Sequence, residues 1–152
     1  MTIRNLSKIF HPKSVAIIGA SRTAGSVGNT VVKNLIDGEF AGKIYPINPK
    51  YDSIEDLPAF GKVADLPEAP DLAVVCIPAA SVPSLIHEIG EKGTRGVVII
   101  SAGFRETGAF GADLEEQIRT AAAQYDGMRI IGPNCLGVMS SSANLNASFA
   151  AN

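Results

Sequence analysis

The chain has 152 residues, of which 46% are apolar and 18% charged, with a net charge of -2. That is enough for one domain with its own core, and the charge gives no reason to expect nucleic acid or an anionic membrane surface as partner. No apolar run reaches the roughly 18 residues needed to span a bilayer, the polar Met1–Pro12 segment is no signal peptide, and Cys76 and Cys135 show no metal spacing, so a reduced, cytoplasmic protein is expected.

Short β-rich runs alternate with helical stretches. Residues 14–19 (SVAIIG) read as a buried strand, and 26–35 follow with Val27, Val31, Val32 and Leu35 at helical spacing, stopped near Gly38. Lys43–Ile47 is a second strand, whose internal Pro46 suits an edge or an end. Residues 51–70 are rich in Pro, Asp and Gly; a short helical piece is expected near Ile54–Leu57 and a brief edge strand near Lys62–Val63. Then come a strand at 71–77, a helix at 81–91 with Val82, Leu85, Ile86 and Ile89 on one face, and a strand at 96–101. A longer helix at 109–125 carries Leu114, Ile118 and Ala122, and residues 128–131 form a last strand.

Strands apolar on both faces, alternating with helices, imply a doubly wound α/β fold: a mainly parallel sheet with helices on both faces and right-handed crossovers. The expected strand order is 3-2-1-4-5-6, as in Rossmann-like dinucleotide-binding domains. The domain is expected over residues 1–139. The stretch 140–152 has no evident place in the sheet and reads as leading towards a following domain.

The most informative segment is Gly19-Ala20-Ser21-Arg22-Thr-Ala-Gly25-Ser26-Val27-Gly28, between the first strand and its helix. Its glycines allow a tight turn and close backbone approach. The N–H groups at the helix start, with the helix dipole, suit a pyrophosphate. Ser21, Arg22 and Ser26 offer side-chain donors. The loop is longer than G-x-G-x-x-G, so the glycines alone mark an ADP-like moiety without naming the cofactor.

The second strand discriminates. NAD-binding domains place an acid about 20 residues beyond the glycines, on the ribose hydroxyls. Here the strand end is Ile47-Asn48-Pro49-Lys50, with no acid and one lysine. A lysine attracts a phosphorylated ribose, which favours coenzyme A or NADP over NAD. Three further strand ends, Ile77-Pro78-Ala-Ala, Ser101-Ala102-Gly103-Phe104 and Gly132-Pro-Asn134-Cys135, ring the same edge. The Ser101–Phe104 stretch offers small residues, exposed N–H groups and an aromatic ring. No catalytic constellation is visible: His11 and His87 fall outside these loops, Cys76 reads as a small buried hydrophobe, and Cys135 has no His or Asp placed beside it. Glu106 and Asp113 read as solvent-facing.

Six ordered motifs extend this pattern: residues 12–21 (PKSVAIIGAS), 45–51 (YPINPKY), 71–75 (DLAVV), 100–104 (ISAGF), 132–137 (GPNCLG) and 145–149 (LNASF). Through them the chain closely resembles the N-terminal CoA-binding domain of nucleoside-diphosphate-forming acyl-CoA synthetases, related to the α subunit of succinyl-CoA synthetase. The resemblance implies coenzyme A bound with its pyrophosphate near Gly19–Gly28 and Lys50 at the adenosine end. It also implies Pro78 and Ser101–Gly103 along the pantetheine, and Asn134 facing the reacting groups. In that family, acyl transfer runs through a phosphohistidine in a later domain, with phosphate from an ATP-grasp module. Neither His11 nor His87 matches the phosphohistidine motif, so this chain is expected to bind CoA without ligating it. Similar domains are fused to a GNAT-type acetyltransferase in protein lysine acetyltransferases, which leaves a second parent open; an NADP-dependent oxidoreductase half is a third reading.

Overall fold

The computed structural model describes residues 3–151 of the chain, so Met1, Thr2 and Asn152 lie outside it. A short helix α1 (Leu6–Phe10) precedes β1 (Ser14–Ile18), α2 (Val27–Asp37) and β2 (Lys43–Ile47). A small hairpin of β3 (Ser53–Ile54) and β4 (Leu57–Pro58) follows. Then come β5 (Leu72–Val75), α3 (Val82–Lys92), β6 (Gly96–Ile99), α4 (Ala109–Ala123) and β7 (Arg129–Ile131). A second hairpin, β8 (Gly137–Ser140) and β9 (Leu145–Ser148), closes the described chain.

The main sheet has five strands in the order β2-β1-β5-β6-β7, all pairs parallel. It is the α/β, Rossmann-like arrangement the alternation predicts. Val15, Ala16, Ile17 and every residue of β5 and β6 are buried, because both faces are covered. Ala16, Ala73, Val75, Val97 and Ile99 pack against α3 and α4 through Val82, Ile86, Ile89, Leu114 and Ile118. Val15, Ile17, Leu72, Val74 and Val98 pack on the other face against Ile9 of α1 and Val31, Val32 and Leu35 of α2. Val27 alone of the α2 stripe is exposed, and it turns towards the carboxyl edge of the sheet.

Two local expectations are overturned. The stretch Ile54–Leu57 is a hairpin turn, not a helical piece: Glu55 and Asp56 both take positive φ, 49° and 63°, the twist a tight two-residue hairpin requires. No strand forms at Lys62–Val63. Residues 63–65 make a turn of 3-10 helix instead, and a single parallel bridge joins Ile47 to Phe60. The sheet therefore lacks the outermost strand of the expected order. Pro46 accounts for this. Its carbonyl accepts from the Phe60 N–H at 3.0 Å on the outer side of β2, where proline has no N–H to continue a ladder.

The expected border at 139/140 falls inside the β8–β9 hairpin. Leu145 and Ala147 are buried in the same core as α2, and the Asn34 side chain donates to the carbonyls of Ser148 and Ala150 at 2.9 and 3.0 Å. Residues up to Ala150 are thus tied to the sheet domain, although not to its main sheet.

Candidate functional site

The chain leaves β1 at Gly19, which has φ 93°. A Cβ there would lie 2.5 Å from the Cys76 carbonyl oxygen. A Cβ on Gly28 would lie 2.0 Å from the Gly19 carbonyl oxygen. The first turn of α2 therefore rests directly on the backbone at the end of β1, and only hydrogen fits at either position. Gly25 differs: its φ is 82°, yet nothing lies within 4 Å of a Cβ built on it. It serves the turn, not the packing.

Ser26 caps α2. Its Oγ accepts the Asn29 N–H at 3.3 Å and donates to the Thr23 carbonyl at 2.7 Å. The N–H groups of Val27 and Gly28 lie in the first turn, outside the intrahelical ladder, where the helix dipole favours an anion. Ser21 Oγ accepts the Thr23 N–H at 3.0 Å. Arg22, expected as a phosphate donor, is committed elsewhere: it donates to the Ser53 carbonyl at 2.7 Å and lies 5.0 Å over the Tyr51 ring. Asn29, which the glycine pattern does not flag, does the positioning. It is 1% exposed, and its Nδ2 bridges the Ser21 carbonyl (2.9 Å) and the Glu55 carboxylate (3.0 Å).

At the end of β2, Asn48 Nδ2 donates to the Ala20 carbonyl at 2.8 Å, and its Oδ1 accepts the Lys50 N–H at 2.9 Å. Asn48 thus fastens the second strand to the glycine loop. At the end of β6, two expectations need correction. The N–H groups of Gly103 and Phe104 are not open donors, because both reach the Glu106 carboxylate. Those bonds hold the Glu106 carboxyl below the ordinary carboxylate range. The Phe104 ring does not face a ligand; it is fully buried in the core with α4, since its apolar surface gains more there than at the rim. Ser101 Oγ donates to the Ile77 carbonyl, and the Asn134 N–H reaches the Ser101 carbonyl at 2.9 Å. The ends of β5, β6 and β7 are therefore laced together.

Two cavities open on this edge. One, of about 430 Å³, is lined by Val27, Cys76, Ile77, Ser101, Ala102 and Asn134, with Ile100, Cys135, Leu136 and Phe149 completing its wall. The other, of about 210 Å³, lies across Gly19, Asn48, Pro49, Lys62, Ile77 and Glu88. Ile77 belongs to both, so they flank one residue at the β5 end, next to the switch between β1 and β5 where such sheets bind ligands. Lys50 and Pro78 are exposed and line neither. Leu136, Phe149 and Lys62 come from loops and the second hairpin. Their sequence signal is weak, although the 132–137 and 145–149 motifs bracket two of them. A further cavity of about 450 Å³ runs along the flank of β7 and α4, from Gly127 to Gly132 and Pro133, and shares no lining residue with these two.

The thiols are passive. Burial, with the neighbouring Cys135, pushes the Cys76 thiol up to about 12, and burial also raises that of Cys135, whose Sγ lies 3.3 Å from the Ile99 carbonyl. Neither is a ready thiolate at neutral pH. His11 lies near Ser142, and His87 meets Tyr125 at 3.2 Å, both away from the cavities at the glycine loop. Among the described residues no cluster of His, Cys, Asp and Glu could hold a metal, and no helix is long and apolar enough to cross a membrane.

A doubly wound sheet, a glycine turn into a capped helix and two cavities flanking Ile77 beside the switch point define a nucleotide-binding α/β domain. More particularly, the chain belongs to the CoA binding domain family, whose model matches residues 13–141. It is 52% identical over 145 residues to the acetate–CoA ligase (ADP-forming) of Methanocaldococcus jannaschii, covering 95% of this chain and 20% of that protein. It is 43% identical over 145 residues to the 4-hydroxybutyrate–CoA ligase (ADP-forming) of Nitrosopumilus maritimus, covering 94% and 20%. The apo structure of a dinucleotide forming acetyl-coenzyme A synthetase from Ca. Korarchaeum cryptofilum superposes with a TM-score of 0.91 at 38% identity, over 96% of this chain and 31% of that one. The chain thus spans about a fifth of the length of these two relatives and under a third of the solved synthetase.

Proposed function

We propose that this chain is the CoA-binding part of an ADP-forming acyl-CoA synthetase, a protein that makes acyl-CoA, ADP and phosphate from an acid, CoA and ATP. The observation that carries the reading is a contrast among relatives. Ligases named for acetate and for 4-hydroxybutyrate are 52% and 43% identical to this chain over nearly its whole length. Those two names share CoA and ADP formation while the acid differs, and the CoA binding domain model over residues 13–141 supports CoA as the share held by this part.

In this reading the pyrophosphate sits on the Val27 and Gly28 N–H groups, in the turn of Gly19, Ala20, Ser21, Gly25 and Ser26. The adenosine occupies the smaller cavity, with Asn48 and Pro49 on its wall and Lys50 at its rim. The pantetheine crosses Ile77 into the larger cavity beside Ser101, Ala102 and Asn134. Arg22 and Gly103 act indirectly, through the hydrogen bonds that shape their loops. Among the described residues, neither thiol at this edge serves as a nucleophile in this reading. A following synthetase domain carrying a phosphohistidine and an ATP-grasp module supply the chemistry, in the cytoplasm. A GNAT-fused acetyltransferase parent is the weaker reading, since the relatives compared above are named as acid–CoA ligases.

The test is calorimetric titration of the chain with CoA, dephospho-CoA, NADP and NAD. CoA is expected to bind tightest. Tightest binding of NADP, or no CoA binding by either the chain or its full-length parent, overturns the reading.

A further inference from the structure

The glycine loop is braced from outside by the β3–β4 hairpin. Ile54 roots that hairpin in the core, where it is fully buried in the cluster that also holds α2. The next residue, Glu55, is exposed, and its carboxylate accepts Asn29 Nδ2 at 3.0 Å. Ser53, one residue before Ile54, accepts Arg22 Nε on its carbonyl at 2.7 Å and Arg22 Nη2 on its hydroxyl at 3.0 Å. The hairpin thus grips the loop on both sides of Gly25, at Arg22 and in the first turn of α2. Two features of this brace run against local stability. Glu55 has φ 49°, a left-handed conformation that glycine and asparagine take readily and glutamate does not. Asn29 is buried, yet its Oδ1 has no partner among the described residues. Local rules broken side by side mark a functional constraint.

We infer that Glu55 is a positioning residue for the bound pyrophosphate: through Asn29 it fixes the Ser21 carbonyl and so aims the Arg22 N–H at the ligand. This rests on the CoA reading above. The Asn29 amide has two hydrogens to donate, and Glu55 takes one while the Ser21 carbonyl, at 2.9 Å, takes the other. Glu55 therefore sets the orientation of the amide that holds the loop, through a charge-assisted bond. In a planar trans peptide, the carbonyl of one residue and the N–H of the next point in opposite directions. With the Ser21 carbonyl turned onto buried Asn29, the Arg22 N–H faces the other way, and it has no partner among the described residues. The Arg22 side chain is held on the hairpin, so its contribution to the ligand comes from the main chain.

The experiment titrates the full chain and its Glu55→Ala, Glu55→Gly and Glu55→Gln variants with CoA, ADP and adenosine 3′-monophosphate, alongside thermal melts. Glu55→Ala and Glu55→Gly should each weaken CoA and ADP by about tenfold. Adenosine 3′-monophosphate, which has no pyrophosphate, should bind as before. Glu55→Gly should melt above Glu55→Ala, because glycine takes φ 49° without strain, yet bind no better. Glu55→Gln should recover most of the affinity, since its amide oxygen accepts the same N–H. Unchanged CoA affinity in Glu55→Ala, equal weakening of all three ligands, no recovery in Glu55→Gln, or affinity that follows the melting temperature overturns the inference and leaves the CoA reading intact. Failure of wild type to bind CoA overturns the CoA reading, and the inference falls with it.

Discussion

The two cavities on the carboxyl edge differ in chemistry. The larger is walled by small and apolar side chains, with Ser101 and Asn134 as its polar members and no charged residue. The smaller carries a lysine and a glutamate. A ligand spanning both needs one charged, polar end and one long, nearly neutral arm, with its most acidic part between them at the helix start. The sheet produces that asymmetry by its order. The small cavity takes Gly19, Asn48 and Pro49 from the ends of β1 and β2, with Lys62 and Glu88 beside them; the large one takes Cys76, Ser101, Ala102 and Asn134 from the ends of β5, β6 and β7.

The sharpest way to break this arrangement is at the contact of Gly28 with Gly19, which lines the smaller cavity. Gly28→Ala drives a methyl into the Gly19 carbonyl and should cost at least about 3 kcal/mol. Gly25→Ala, strained in φ but unobstructed, should cost only about 1 kcal/mol. Paired thermal or urea unfolding measures both, and equal losses would show that packing at Gly28 is not the constraint. A smaller effect separates the cavities. Ala102 is exposed and lines only the larger one, so Ala102→Phe should weaken CoA by about tenfold while leaving adenosine 3′,5′-bisphosphate unchanged. Equal weakening of both ligands would mean that the two cavities do not divide the cofactor as assigned.

The smallest effect belongs to the opposite end of the sheet. Partial burial pushes the Asp71 carboxyl up, but the Lys13 N–H at 2.8 Å and the Lys8 ammonium at 2.9 Å outweigh it and hold it below its ordinary 3.8. A carboxylate whose folded value is depressed stabilises the fold above its unfolded value. That contribution fades as the pH falls from near 4 through the folded value. Asp71→Asn should flatten the acid limb of stability by well under about 1 kcal/mol, because Lys8 is half exposed. Its ligand affinity at neutral pH should not change, and a changed affinity would show coupling between the two ends of the sheet.

The sheet was legible because a parallel strand covered on both sides has to be apolar throughout, as 72–75 and 96–99 are. The 53–58 hairpin was not, since Ile54 and Leu57 stand three apart, a spacing that a helix shares with a tight turn. The second hairpin escaped because its buried Leu145 and Ala147 alternate over only four residues within a Ser- and Asn-rich stretch. At the site, glycines announce themselves because sterics leave them no substitute. Polar side chains do not, because sequence cannot say which partner they find first. Arg22 found Ser53, the Gly103 N–H found Glu106, and Asn48 found Ala20. The residues that line the cavities from outside the strand ends, such as Lys62 and Phe149, depend on where loops return.

The contact between Gly28 and Gly19 has one more consequence. Because no side chain lies between them, the height of the anion seat above the sheet is set by backbone radii and not by a rotamer. The seat is therefore finished before a ligand arrives. Association need not immobilise it, and the ordering entropy of binding falls on the flexible ligand and on exposed lysines at the rim, not on the cradle.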